Sequence, residues 1–322
     1  MLKFSRNATN ASVWWGSQNG RYPLIHRGTR SAMTAKFLAL LCVLAAMGLW
    51  AAPAHATKSF DHCQYFVDSV PTTISTPGVW CLRQDLKVLS PTNSAINIQA
   101  SNTTLDCKDF MLDGTALSSD VAQWGIVSDQ QHGVTIRNCN VKGFLYGIAI
   151  YNTTSFGNSI VNNRISQNYS GGIDVVGDGS VVRGNTILNT VSQADGVGAC
   201  GISAAGSIDI IDNLIAGVRA TNSNTCGIVA SDGSGVGFKG HIISNRVRGL
   251  TAGITSNPSV AIYIVGADHT VVRDNDITGD ALPLTYGLWC RGATGVVTGN
   301  VIKGMATSLA ECNLAGLNDT TN

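Results

Sequence analysis

Six copies of one phrase, β-branched–x–x–Asn–x–β-branched, constrain this chain more than anything else in it. They fall at Ile160/Asn163/Ile165, Val182/Asn185/Ile187, Ile210/Asn213/Ile215, Ile242/Asn245/Val247, Val272/Asn275/Ile277 and Val297/Asn300/Ile302. An earlier copy, Ile136/Cys139/Val141, carries Cys at the Asn position, and successive positions lie 22 to 32 residues apart. A second phrase keeps the same phase, a Gly followed by an apolar residue: Gly125-Ile126, Gly147-Ile148, Gly172-Ile173, Gly201-Ile202, Gly227-Ile228 and Gly287-Leu288, with Ala261-Ile262 filling one place. Self-similarity at this period is the mark of stacked repeats.

The apolar runs inside each copy are three to six residues long and alternate, which suits strands and is too short for helices. One copy is long enough for one turn of three short strands, with each strand parallel to its equivalent in the next turn, about 4.8 Å away. Equivalent side chains then form ladders. Inward Ile and Val fill a core, and Asn at the bends can bond to its neighbours' amides and to the turn backbone. A propeller blade needs a longer repeat and a sandwich would not repeat so regularly. The expected fold is all-β, a single-stranded parallel β-helix of about eight or nine coils with a cover at each end.

Upstream of the repeats, Phe37 to Ala52 is an apolar run preceded by Lys36 and followed by Ala54-His55-Ala56. This is the pattern of a secretory signal peptide cleaved after Ala56, with Met33 as its natural start and residues 1–32 as an over-extended N-terminus. The expected parts are therefore 1–32, an extension; 33–56, the signal peptide; 57–90, an N-terminal cap; 91–303, the β-helix; and 304–322, a C-terminal cap and tail. Within the first cap a short helix is expected near Phe60 to Val67, with Val79–Leu82 as the first edge strand, and the tail should fray beyond Asn318. Six of the chain's 21 basic residues and none of its 20 acidic ones lie in 1–56, so the mature chain has a formal charge of −5. A mildly acidic exported domain has no basic stripe for nucleic acid and no membrane insertion once the signal is removed; it belongs in the periplasm or outside the cell.

Eight cysteines follow the signal, an even number that in an exported chain favours disulfides. Cys200 and Cys226 each precede the repeat's Gly one coil apart, which puts their Cα atoms within bridging range. Sequence proximity and coil count suggest Cys63–Cys81, Cys107–Cys139 and Cys290–Cys312, the alternative for Cys107 and Cys139 being buried free thiols at ladder positions. No CxxC or His spacing indicates a metal.

The stretch from Thr72 to Gly114, with Thr-Ile-Ser-x-Pro-Gly-x-Trp-Cys-Leu followed by Ile-x-Ile-x-Ala-x-Asn-Thr-Thr-Leu-Asp, resembles the start of secreted bacterial right-handed β-helix proteins of the pectate-lyase-like superfamily. The handedness is what that resemblance implies. The superfamily includes lyases, hydrolases, epimerases, tailspikes and adhesins, so fold does not decide activity. The Asn-Thr-Asp, Asp-Asp, Gly-His-Gly and Arg-Ile-Lys motifs of polygalacturonases are absent, as is the Asp-Pro-His-Glu run of alginate epimerases.

Ladder geometry narrows the search for a site. Counted from the Gly, positions two and four point outward. The first column reads Val127, Ala149, Asp174, Ser203, Val229, Tyr263, Trp289, and the second Asp129, Tyr151, Val176, Ala205, Ser231, Val265, Arg291. Asp129, Tyr151 and Asp174 thus share a face, with His132 just beyond Asp129, and Tyr263, Trp289 and Arg291 lie further along it. Aromatics with a few polar groups along a solenoid axis suit an extended sugar chain. For β-elimination, Tyr151 would donate a proton, His132 would accept one, and Asp129 with Asp174 would hold Ca2+ against a substrate carboxylate. For hydrolysis the two acids would be the acid/base pair. A non-catalytic carbohydrate-binding face and a structural surface protein are the competing readings.

Overall fold

The structure is a computed structural model that describes residues 58–90, 92–115, 122–192, 197–231, 237–252, 257–312 and 316–321. Residues 1–57, and with them the segments expected to be a signal peptide and an extension, lie outside the described residues. Among the described residues there is no helix, and every strand pairing is parallel between successive turns.

Three sheets of ten strands each run the length of the solenoid. In a typical turn the chain passes from sheet A (Ser159–Val161) to sheet C (Arg164–Ser166), then to sheet B (Gly171–Val176), and returns to sheet A at Ser180–Arg183. A short fourth sheet of three strands, Val191–Ser192, Arg219–Ala220 and Thr251–Ala252, widens the passage from C to B. Inward side chains stack in register: Ile148 on Ile173, Ile173 on Ile202, Ile160 on Val182 and Ile165 on Ile187, all buried.

The bend between sheets A and C explains the Asn phrase. The residue before each ladder Asn has a left-handed backbone, as at Asn162 (φ 56°), Gly184 (66°), Asp212 (57°) and Asp274 (57°). Gly, Asn and Asp bear that conformation at least cost, which is why these residue types recur there. The ladder Asn that follows is buried. Asn185 Nδ2 donates to Ile160 O at 2.9 Å and to Asn213 Oδ1 at 3.0 Å, while its Oδ1 accepts from the Asn163 backbone N–H and Nδ2, both at 3.0 Å. Asn213, Asn245, Asn275 and Asn300 repeat the pattern, and the last rung is Asn318.

The Gly phrase marks the entry to sheet B. A Cβ on Gly172 would lie 2.5 Å from Gly201 O and 2.6 Å from Ile187 Cγ2, so the backbone there is pressed against the next turn and the core of sheet C.

Both ends differ from expectation. Residues 65–67 form a strand rather than a helix, paired with Gly78–Leu82, so Val79–Leu82 is the second strand of sheet A and not its edge. Thr72–Ile74 and Leu86–Lys87 join sheets B and C, and so 57–90 supplies strands to all three sheets. At the other end Asp319–Thr321 pairs with Val301–Lys303 instead of fraying. The Asn318 rung explains this, because it ties the tail to Asn300. The four disulfides are Cys63–Cys81, Cys107–Cys139, Cys200–Cys226 and Cys290–Cys312.

Candidate functional site

Register fixes the outward face of sheet B. Val127, Ala149, Asp174, Ser203, Val229, Tyr263 and Trp289 are successive paired neighbours, as are Asp129 with Tyr151 and Ser231 with Val265 and Arg291. A third outward column, one residue before the Gly, was missed by counting forward from it. It runs Trp124, Tyr146, Gly171, Cys200, Cys226, Val260, Tyr286. The signal available in the sequence was the Cys pair, whose outward position one place before the Gly applies equally to Trp124, Tyr146 and Tyr286.

The three columns create two aromatic clusters. In the first, Trp124 Nε1 donates to the Tyr151 hydroxyl at 2.7 Å, and the two rings meet edge to face. Tyr146 lies over Gly171, where a Cβ would come within 2.4 Å of its ring. In the second, Trp289 stacks on Tyr286 with centroids 4.9 Å apart and leans on Tyr263 at 5.1 Å, while Arg291 bonds to the Tyr263 side chain.

Between the clusters is a groove of about 460 Å³, lined by Tyr146, Ser170, Asp174, Ser203, the Cys200–Cys226 bridge and Val229, among others. Asp174 is half-buried in it. Burial, partly offset by a hydrogen bond from Ser203, pushes its carboxyl up to about 6. Burial first, and then the charge of Asp174, raise the Tyr151 phenol well above its ordinary range, so it stays protonated.

The other predicted residues are placed apart. Asp129 is exposed beside Tyr151, with the coil of Tyr146–Tyr151 between it and the coil of Asp174. His132 sits at the corner leading to sheet A and stacks on Phe156 of the next turn, rings 4.7 Å apart and nearly parallel. Among the described residues no three His, Cys, Asp or Glu side chains gather at one point, and Asp129 and Asp174 stand on coils two apart in different columns.

Residues 95–199 match the family model of the right handed beta helix region. The protein is a right-handed parallel β-helix. Similar β-helices among solved structures include the Dettilon tailspike protein, at 17% identity and TM-score 0.41, covering 79% of this chain and 60% of that one. An alginate lyase from a Paenibacillus species is 13% identical with TM-score 0.41, covering 76% and 89%. The A-module of an Azotobacter vinelandii mannuronan C-5 epimerase is 15% identical with TM-score 0.38, covering 80% and 87%. These likenesses are of fold, and this β-helix spans about 60% of the tailspike's length. No curated protein matches the sequence.

Proposed function

We propose that the outward face of sheet B binds an extended polysaccharide chain. The observation that supports this best is the alignment of two aromatic clusters and an intervening groove along one register-locked face. From the coil of Gly125 to that of Gly287 there are six turns, roughly 29 Å at the usual strand spacing, a reach suited to several linked sugars rather than one. Aromatic rings offer flat apolar faces to sugar rings, while Asp174, Ser203 and the tyrosine hydroxyls offer hydrogen bonds at intervals. Four disulfides fit an exported protein in an oxidising compartment.

A second reading is hydrolysis on the same face. It draws on Asp174, whose raised carboxyl keeps a protonated fraction near neutrality, as a general acid requires. Its weak point is the partner: Asp129 lies two coils away and two residues along the strand from the column of Asp174, roughly 12 Å by strand geometry and beyond the range of an inverting pair. β-Elimination would need His132 beside Tyr151, whereas its ring packs against Phe156.

Calorimetry with a panel of neutral, acidic and amino-sugar oligosaccharides tests binding, and reducing-end and ultraviolet assays on the same mixtures test cleavage. Saturable binding weakened by both Trp124→Ala and Trp289→Ala is the expected result. Absence of binding to every member of the panel would overturn the proposal.

A further inference from the structure

Among the described residues Asp106 and Asp174 are both withdrawn from water, and they are treated differently. Asp106, with a side chain only 3% exposed, is paired with Arg137 at 3.0 Å and Lys108 at 3.4 Å, and accepts hydrogen bonds from Asn138 and the Lys108 backbone. That is how a structural carboxylate is stabilised. Asp174 has no such partner. Among the described residues lining its groove there is no Lys, Arg or His. The groups facing it from the flanking strands are Tyr146 and Tyr151 on one side, and Ser203 and the Cys200–Cys226 bridge on the other.

We infer that this groove takes a protonated amino sugar, whose ammonium group supplies the positive charge that Asp174 lacks. This rests on the polysaccharide-binding reading above and names the class of sugar. An ammonium ion in the groove would meet a carboxylate, and beside it the Tyr146 ring, both favourable for a desolvated cation. A uronate would set a second carboxylate against Asp174 in the same low-dielectric groove, which is unfavourable. A neutral or N-acetylated sugar would bury Asp174 further and leave its charge unmatched.

The test is calorimetry on the protein with hexamers of β-1,4-linked glucosamine, N-acetylglucosamine and galacturonate. At pH about 7 the glucosamine oligomer should bind about tenfold more tightly than the N-acetylated one, the yield of one charge-assisted pair. At pH about 4.5, where Asp174 is mostly protonated, that preference should shrink. Asp174→Asn should abolish the preference, because the glucosamine oligomer loses its charged pair and the N-acetylated one no longer leaves a buried charge unmatched. Equal or better binding of the N-acetylated or galacturonate oligomer would overturn the amino-sugar assignment while polysaccharide binding stood. A preference that survives in Asp174→Asn would also overturn it. Failure of all three oligomers, and of the wider panel, would overturn both readings.

Discussion

Cys139 donates its backbone N–H to Asn163 Oδ1 at 2.9 Å, and so the asparagine ladder passes without a break into the Cys107–Cys139 disulfide. The same inward corner is held by amide hydrogen bonds along most of the solenoid and by a covalent bridge at its N-terminal end. The Cys that interrupts the sequence phrase is a rung made of sulfur.

Replacing Asn185 by Ala removes four hydrogen bonds and leaves the Asn163 backbone N–H and side-chain amide buried without their acceptor. The expected cost is about 2–4 kcal/mol, since each buried orphan costs roughly 1–3 kcal/mol. Asn318→Ala, at the less buried end of the ladder, should cost distinctly less. Denaturant midpoints of the two variants check the order.

The two adjacent glycines of sheet B should behave oppositely. Gly172→Ala would force a Cβ against Gly201 O and the Ile187 side chain, and should prevent proper folding. Gly171→Ala would meet only the Tyr146 ring, which can swing aside. That variant should fold, with near-wild-type circular dichroism and melting, yet bind oligosaccharide several-fold more weakly because Tyr146 leaves the groove wall.

Asp174 is a stability cost at neutral pH. An acid whose folded pKa is raised holds its proton more tightly when folded. The penalty is therefore absent below about pH 4, grows as pH rises towards 6, and is constant above that. Asp174→Asn should stabilise the protein by on the order of 2–3 kcal/mol at pH about 8 and hardly at all at pH about 4. Melting curves at the two pH values decide this.

Asp106 has the opposite sign. Burial raises its carboxyl, but hydrogen bonds from Asn138 and the Lys108 backbone, with the charges of Arg137 and Lys108, outweigh it and hold it below the ordinary value. Its contribution is fully present above about pH 4 and is lost as pH falls through the folded value. Asp106→Asn should therefore lower stability at neutral pH and flatten the acid limb of the stability curve.

Removing the Cys200–Cys226 bridge, which closes a 26-residue loop, should cost about 2–4 kcal/mol. Because both cysteines line the groove, the Cys200→Ser/Cys226→Ser variant should also weaken oligosaccharide binding. Unreduced peptide maps and calorimetry test the two effects separately.

The sequence made the fold legible because phase repeats at every turn: a shift of one residue would turn each Ile and Asn to the wrong side. The outward columns beginning at Val127 and Asp129 followed from that phase. The column of Trp124, Tyr146 and Tyr286 did not stand out, because Gly171, Cys200, Cys226 and Val260 separate its aromatic members. Nor could sequence show that Asp174 has no counter-ion while Asp106 has two, since ion pairing depends on which side chains converge across turns. No repeat phrase marks Tyr65–Val67, so its sequence alone does not distinguish a strand from a short helix; its pairing with Gly78–Leu82 is what makes it extended.

The amide chain from Asn163 to Asn318 has a sense: from Asn163 to Asn300 each Nδ2 donates forward to the next Oδ1, and its bond to the preceding turn goes to a backbone carbonyl, never to an Oδ1. Each rung contacts only its two neighbours, so a whole turn inserted or deleted in phase leaves every remaining rung with the same partners. The solenoid behaves as a graduated ruler. Over evolutionary time the gap between the Trp124 and Trp289 clusters can change only in whole-coil steps of about 4.8 Å, and the length of chain that spans both clusters is thereby quantised.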